Sequence, residues 1–125
     1  MKKNTFTFCL MLFSIALFAQ VQLGNTLIGE NLSDNSGTSV AINSLGNLAV
    51  VGAPNAIIGF SGGIAIHGGH VRVHGFNGVV WTAGADFDAE AQGDDMGFAV
   101  AMSDDASIIA CGAPKGNSNL GYVHV

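Results

Sequence analysis

Residues 24–54 and 84–114 carry one pattern twice, sixty positions apart and without a gap. Nine of these 31 positions are identical: Gly24/Gly84, Glu30/Glu90, Asp34/Asp94, Gly37/Gly97, Val40-Ala41/Val100-Ala101 and Gly52-Ala53-Pro54/Gly112-Ala113-Pro114. Others are conservative, such as Ile42 with Met102, Leu48 with Ile108 and Val51 with Cys111. A repeat of this length means one supersecondary unit used more than once, each unit burying its apolar face against a neighbour. After the Pro the copies diverge. The first carries a Gly-rich insertion, Ile57 to Gly68, before Gly69-His70-Val71-Arg72-Val73. The second reaches Gly121-Tyr122-Val123-His124-Val125 eight residues sooner. An insertion confined to one place in a repeat maps to a loop, so 55–69 reads as a flexible surface loop.

Within each copy the apolar spacing predicts short strands. Ser39–Asn43 and Asn47–Val51 form one pair around a turn at Ser44-Leu45-Gly46, and Ala99–Ser103 with Ser107–Cys111 form the other. Leu48–Val51 and Ile108–Cys111 are apolar on both faces, the pattern of strands covered on two sides. Gly-Ala-Pro closes each, because Pro has no N–H for the ladder. His70–Phe76 is a third strand and Val79–Ala83 a fourth, joined by Asn77-Gly78, a dipeptide suited to a two-residue hairpin turn. Such a loop places His74 opposite Trp81 and Arg72 opposite Ala83. Composition agrees. Only 10% of residues are charged and 18 are Gly, too little charge for helices with solvated faces, while 49% hydrophobic content excludes a disordered chain.

Residues 1–19 differ from the rest. Lys2 and Lys3 precede an apolar run, Phe6 to Phe18, and Ala19 is a small residue before Gln20. This is the pattern of a secretory signal peptide, with cleavage expected between Ala19 and Gln20 and an uncleaved anchor as the alternative. The run is short for a membrane span, which needs about 20 residues. Without it, Arg72 and Lys115 stand against nine acids. That balance excludes a nucleic-acid binder, which needs a basic footprint. Cys9 lies in the apolar run, so Cys111 is left without a disulfide partner.

The order Gly-Glu, Asp, Gly-x-x-Val-Ala, a turn, an apolar strand ending Gly-Ala-Pro, then Gly-x-Val-x-Val and a Trp resembles the FG-GAP-type repeats of integrin-α-like β-propellers, in their secreted bacterial form. Ser36-Gly37 and Met96-Gly97 occupy the Phe-Gly position, and neither is Phe-Gly. The resemblance implies an all-β fold of antiparallel four-stranded propeller blades. About one and a half to two are present here: residues 20–82 with an N-terminal outer strand at Val21–Asn25, and an incomplete 83–125. Further blades are expected from chain not present. The isolated chain is then expected to aggregate, oligomerise or order only partly, with Val50, Ile108 and Val123 exposed.

Relatives of this kind often bind calcium in the loop between the first two strands. The corresponding loops are Asn43–Asn47, with no carboxylate, and Ser103–Ser107, with the adjacent Asp104 and Asp105. Calcium wants six to eight oxygens, so each reads as a plain turn, and weak calcium binding is the alternative. Glu30/Asp34 and Glu90/Asp94 look like acid pairs, but a pair that recurs in every repeat is what architecture produces, and an Asp can hold a turn through backbone N–H groups. Metal or ligand contact and catalysis are the alternatives. Four histidines remain, His67, His70, His74 and His124. His70, Arg72 and His74 share one strand face, and the two imidazoles, about 13 Å apart, cannot chelate one ion; a polar stripe stacked on Trp81 is the reading. No nucleophile–base arrangement or phosphate loop is present. The expectation is therefore no catalytic, cofactor or metal residue. The chain reads as a secreted, non-enzymatic segment for adhesion or for binding an extracellular protein or glycan, with loop 55–69 as the contact. The alternatives are a non-catalytic part of an extracellular enzyme, for example one acting on polysaccharide, or a pure scaffold.

Overall fold

The computed structural model describes residues 21–125; the basic start, apolar run and cleavage position read as a signal peptide lie outside the described residues. The chain is mostly strand, in three antiparallel sheets. The first sheet has the order β1 (Ser39–Ile42), β2 (Leu48–Ala53), β5 (His70–Phe76), β6 (Trp81–Asp88). Between β2 and β5 the chain makes a separate hairpin, β3 (Ile57–Ser61) with β4 (Ile64–His67). The second repeat gives β7 (Ala99–Met102), β8 (Ile109–Ala113) and β9 (Tyr122–His124), with a short turn of left-handed backbone, α1 (Gly116–Asn119), before β9.

The sixty-residue repeat is reproduced in the backbone. Ser33 and Gly93 have φ of 70° and 82°, Asn35 and Asp95 56° and 58°, Gly37 and Gly97 90° and 88°. Hydrogen bonds recur in the same places. Gly37 N donates to Gly52 O and Gly97 N to Gly112 O, both at 3.1 Å. Asn55 N donates to Asp34 O and Lys115 N to Asp94 O, both at 3.2 Å. Val40 pairs with Val51 as Val100 pairs with Cys111, and Ala53 pairs with His70 as Ala113 pairs with Tyr122. The two repeats are therefore one structural unit built twice.

Four details differ from the sequence reading. Asn77-Gly78 is not a two-residue loop. Phe76 pairs with Trp81, so Asn77–Val80 make a four-residue connection. The reason is the Asn77 side chain, whose Oδ1 accepts both Val79 N (3.0 Å) and Val80 N (2.9 Å) and holds the longer loop. His74 consequently faces Ala83, and a bulge then sets Arg72 opposite Asp86. The fourth strand runs on to Asp88, so residues 83–88 of the second sequence repeat belong to the first sheet. Val21–Asn25 is not a strand. It runs irregularly past the tip of the β5–β6 hairpin, where Trp81 Nε1 donates to Leu23 O (3.0 Å) and Trp81 N to Asn25 Oδ1 (2.7 Å). Finally, 55–69 is the β3–β4 hairpin rather than a loop. Gly62 and Gly63, at φ of 56° and 81°, form its turn, the geometry a two-residue hairpin loop requires.

The core lies between the first sheet and the second repeat. Val50 and Val71 from the first sheet pack with Ala89, Met96, Cys111 and Ala113. Val50 is thus fully buried, against the expectation of exposure, whereas Ile108 (56% exposed) and Val123 (63%) are open as expected. Val50 is covered because Ala89 and Met96 of the second repeat pack with it; no described residue covers Ile108 or Val123 in the same way. Strands β1 and β7 lie side by side. Ser39 Oγ donates to Gly97 O (2.7 Å), and Ser44 donates to Asp104 O through both N (3.0 Å) and Oγ (2.9 Å).

Candidate binding surface

The repeated acid pair resolves into two unlike roles. Asp34 and Asp94 are buried, at 2% and 4% exposure. Asp34 Oδ2 accepts Asn31 N at 2.7 Å and Asp94 Oδ2 accepts Ala91 N at 2.9 Å. Each carboxylate caps the turn that carries the chain into the first strand of its repeat, the backbone-holding use of Asp. In the second repeat the Tyr122 hydroxyl adds a bond to Asp94 Oδ2 (2.9 Å) and accepts Glu90 N (3.1 Å). In the first, His70 stands at the matching strand position, and Asp34 Oδ1 is buried without a partner.

Glu30 and Glu90 point instead at the basic residue of the third strand. Glu30 Oε1 accepts Arg72 Nη1 at 2.5 Å, and Glu90 Oε1 lies 3.1 Å from His124 Nε2. Arg72 also pairs with Asp86 through Nε, and through Nη2 at 2.6 Å. The guanidinium holds both the Glu30 and Asp86 carboxyls below their usual range, and they in turn raise Arg72. This corrects the reading of a polar stripe stacked on Trp81: Arg72 is occupied by two carboxylates, and the Trp81 ring packs on Phe76 with centroids 5.1 Å apart. Burial pushes the His74 imidazole down. His67 Nδ1 lies 2.8 Å from Asn55 O, while His74 Nδ1 is buried without a hydrogen-bond partner.

The two turn loops are closed by their own polar side chains. Asn43 Oδ1 accepts Asn47 N (3.1 Å) and Leu48 N (3.0 Å). Asp105 Oδ1 accepts Ser107 N (3.0 Å) and the hydroxyls of Ser103 (2.7 Å) and Ser107 (2.8 Å), which lower its carboxyl to about 2. Among the described residues no three His, Cys, Asp or Glu side chains converge on one point. The donor set at either loop does not fit the oxygen shell that calcium needs.

Two surface features are candidates for recognition. The β3–β4 hairpin, which the sequence reading took for a loop, presents Phe60 (70% exposed) and Ile64 (75%) beside its Gly62-Gly63 turn. Phe60 pairs with Ala65 and Ser61 with Ile64, so the two apolar side chains leave opposite faces of the tip. The hairpin is anchored at its base. Gly68 N and Gly69 N both donate to Ala56 O (3.1 Å), and Gly93 N donates to His67 O (2.7 Å). A second feature is a polar cleft of about 480 Å³ between residues 90–94 and the α1 turn, lined by Glu90, Gln92, Asp94, Lys115, Asn117 and Asn119. Asn117, Ser118 and Asn119 all have positive φ, of 52°, 60° and 69°; Asn tolerates that region better than most residues. Lys115, which lines the cleft, has its Nζ 2.7 Å from Asp95 Oδ2. The Gly-rich composition of 59–69 hid the hairpin, although Phe60 and Ile64 at its centre were a legible signal. Neither a family model nor a curated protein matches this sequence. No described helix is long and apolar enough to cross a membrane.

Proposed function

We propose that the chain is a segment of a secreted β-propeller of the FG-GAP type, which binds an extracellular protein or glycan and carries no catalytic centre of its own. The observation that carries the binding role is the β3–β4 hairpin, hydrogen-bonded at its base and exposing Phe60 and Ile64 at its tip. Exposed large apolar side chains on an anchored projection are costly to leave in water and are gained back when a partner covers them. Support for the blade reading comes from the repeated meander and from the side-by-side placement of β1 and β7. The acid pairs are committed to turn capping and ion pairing, which supports a structural role for them.

The test is binding of the labelled protein to an array of extracellular glycans and immobilised matrix proteins, alongside the double variant Phe60→Ser/Ile64→Ser. The reading expects at least one ligand bound by wild type and lost by roughly tenfold or more in the double variant, with an unchanged melting temperature. Equal binding by both proteins would remove the hairpin as the contact. A hydrolytic activity lost in a folded Glu90→Gln variant would remove the non-catalytic reading.

A further inference from the structure

The joint between the two repeats is heterologous: one face of the first repeat meets a different face of the second. On the first repeat the seat is floored by glycine. A Cβ on Gly52 would strike the Gly97 carbonyl, and one on Gly69 would strike the Met96 carbonyl. Into this seat the second repeat lays Ala89–Gly97. Met96 is fully buried there, Met96 N donates to Gly68 O (2.9 Å), and Ala89 N donates to Gly69 O (3.0 Å).

Both halves of that joint occur a second time on the same chain, and among the described residues neither is covered. The second repeat has the seat. A hollow of about 440 Å³ is lined by Phe98, Ala99, Gly112, Pro114, Gly121 and Val123. Gly112 and Gly121 match Gly52 and Gly69. A Cβ on Gly112 meets only Ala99 of its own sheet, at 3.6 Å, where Gly52 meets another repeat. The first repeat has the occupant. Residues 33–37 hold the backbone conformation of 93–97, with φ at Gly37 and Gly97 of 90° and 88°. Ser36 and Gly37 are nevertheless exposed where Met96 and Gly97 are buried. Beside them Val40 is 66% and Ile42 58% exposed, whereas their counterparts Val100 and Met102 pack against the core.

We infer that a second copy of this chain docks head to tail, its residues 29–42 seated on the Gly112/Gly121 hollow as residues 89–102 are seated on Gly52 and Gly69. The occupant is a copy because the complementary face, preshaped and uncovered, is on this chain. The inference stands on the internal joint alone and holds whether or not the assembly closes as a propeller. A heterologous contact of this kind propagates into a ring if the rotation closes and into an open chain if it does not.

The experiment is sedimentation velocity of the purified protein over a hundredfold concentration range, with one variant blocking each face. Val40→Lys/Ile42→Lys changes two exposed residues on the occupant face. Gly112→Val directs a side chain into the hollow, its Cβ no closer than 3.6 Å to the rest of the chain, and Phe98→Lys, at a 57% exposed residue, is the second variant should the first not fold. Wild type is expected to grow with concentration to dimers and beyond. Each variant alone is expected to associate at least a hundredfold more weakly. An equimolar mixture of the two is expected to form a one-to-one dimer and stop, because one free seat and one free occupant face remain. A wild type that stays monomeric overturns the inference. So do variants that assemble as wild type does, and so does a mixture that forms no dimer.

Discussion

The two repeats agree in backbone and disagree in what covers them. Asp34 and Asp94 cap the same turn, and Gly37 and Gly97 bond to Gly52 and Gly112 at the same distance. Yet Gly97 is buried and Gly37 exposed; Met96 is fully buried and its counterpart Ser36 is not. The identical glycines shape the chain path and floor the joint, and the side chains that fill the joint, Met96 against Ser36, differ. Identity therefore marks how each unit folds, and divergence marks where each unit sits relative to a neighbour.

The largest way to break this comparison is at the joint. Met96→Ala is expected to cost about 2–5 kcal/mol, the usual range for emptying a buried Met site. Ser36→Ala, at the equivalent but exposed position, is expected to stay within about 0.5 kcal/mol, as surface changes do. Urea denaturation of both at one protein concentration measures the contrast. Similar costs at the two sites would mean that the repeats are covered alike.

Next comes the cap. Asp94→Ala leaves Ala91 N without its acceptor and the Tyr122 hydroxyl without its carboxylate, a loss of about 1–3 kcal/mol. Asp34→Ala removes only the bond from Asn31 N and also removes the unpaired Oδ1, so its cost is expected to be smaller. Tyr122→Phe combined with Asp94→Ala in a double-mutant cycle isolates the tyrosine share. Equal costs at Asp34 and Asp94 would remove the difference that Tyr122 is held to make.

The smallest effect is with pH. The Arg72 guanidinium lowers the Glu30 and Asp86 carboxyls relative to the unfolded chain, so the folded state binds fewer protons there. Their contribution is present above about pH 4 and is lost as pH falls through their folded values. His74 is also lowered, from 6.5, by burial; its neutral form is the folded one, so stability begins to fall as pH drops below about 6.5. Acid titration of the melting temperature is expected to show a gentle decline below 6.5 that Phe at position 74 removes, then a second decline below about 4 that Met at position 72 reduces. These pairs are partly exposed and salt-screened, which keeps each contribution near the 0–1 kcal/mol of surface ion pairs. A flat profile from pH 7 to 3 would contradict both assignments.

Much of this was written in local sequence. The sixty-residue register located Asp34, Asp94, Gly37 and Gly97, and strand β5 falls on His70–Phe76 as the alternation implied. Three things were not legible there. The hairpin register turned on whether the Asn77 side chain would hold two backbone N–H groups, which the Asn-Gly dipeptide does not specify. The partner of Arg72 came from Glu30, 42 residues earlier, through a segment with no regular structure. The β3–β4 hairpin was masked by Gly59, Gly62, Gly63, Gly68 and Gly69, which read as breakers although two of them are the turn and two the anchor.

The central claim is that the second repeat seats its Met96 segment on the glycine floor of the first. Selective methyl labelling of Met and Val, followed by nuclear Overhauser measurement on the folded protein, tests it most directly. The account predicts cross-peaks from the Met96 methyl to the methyls of Val50 and Val71, which share its buried cluster. A Met96 methyl with cross-peaks only to residues of its own repeat, or with none, would contradict it.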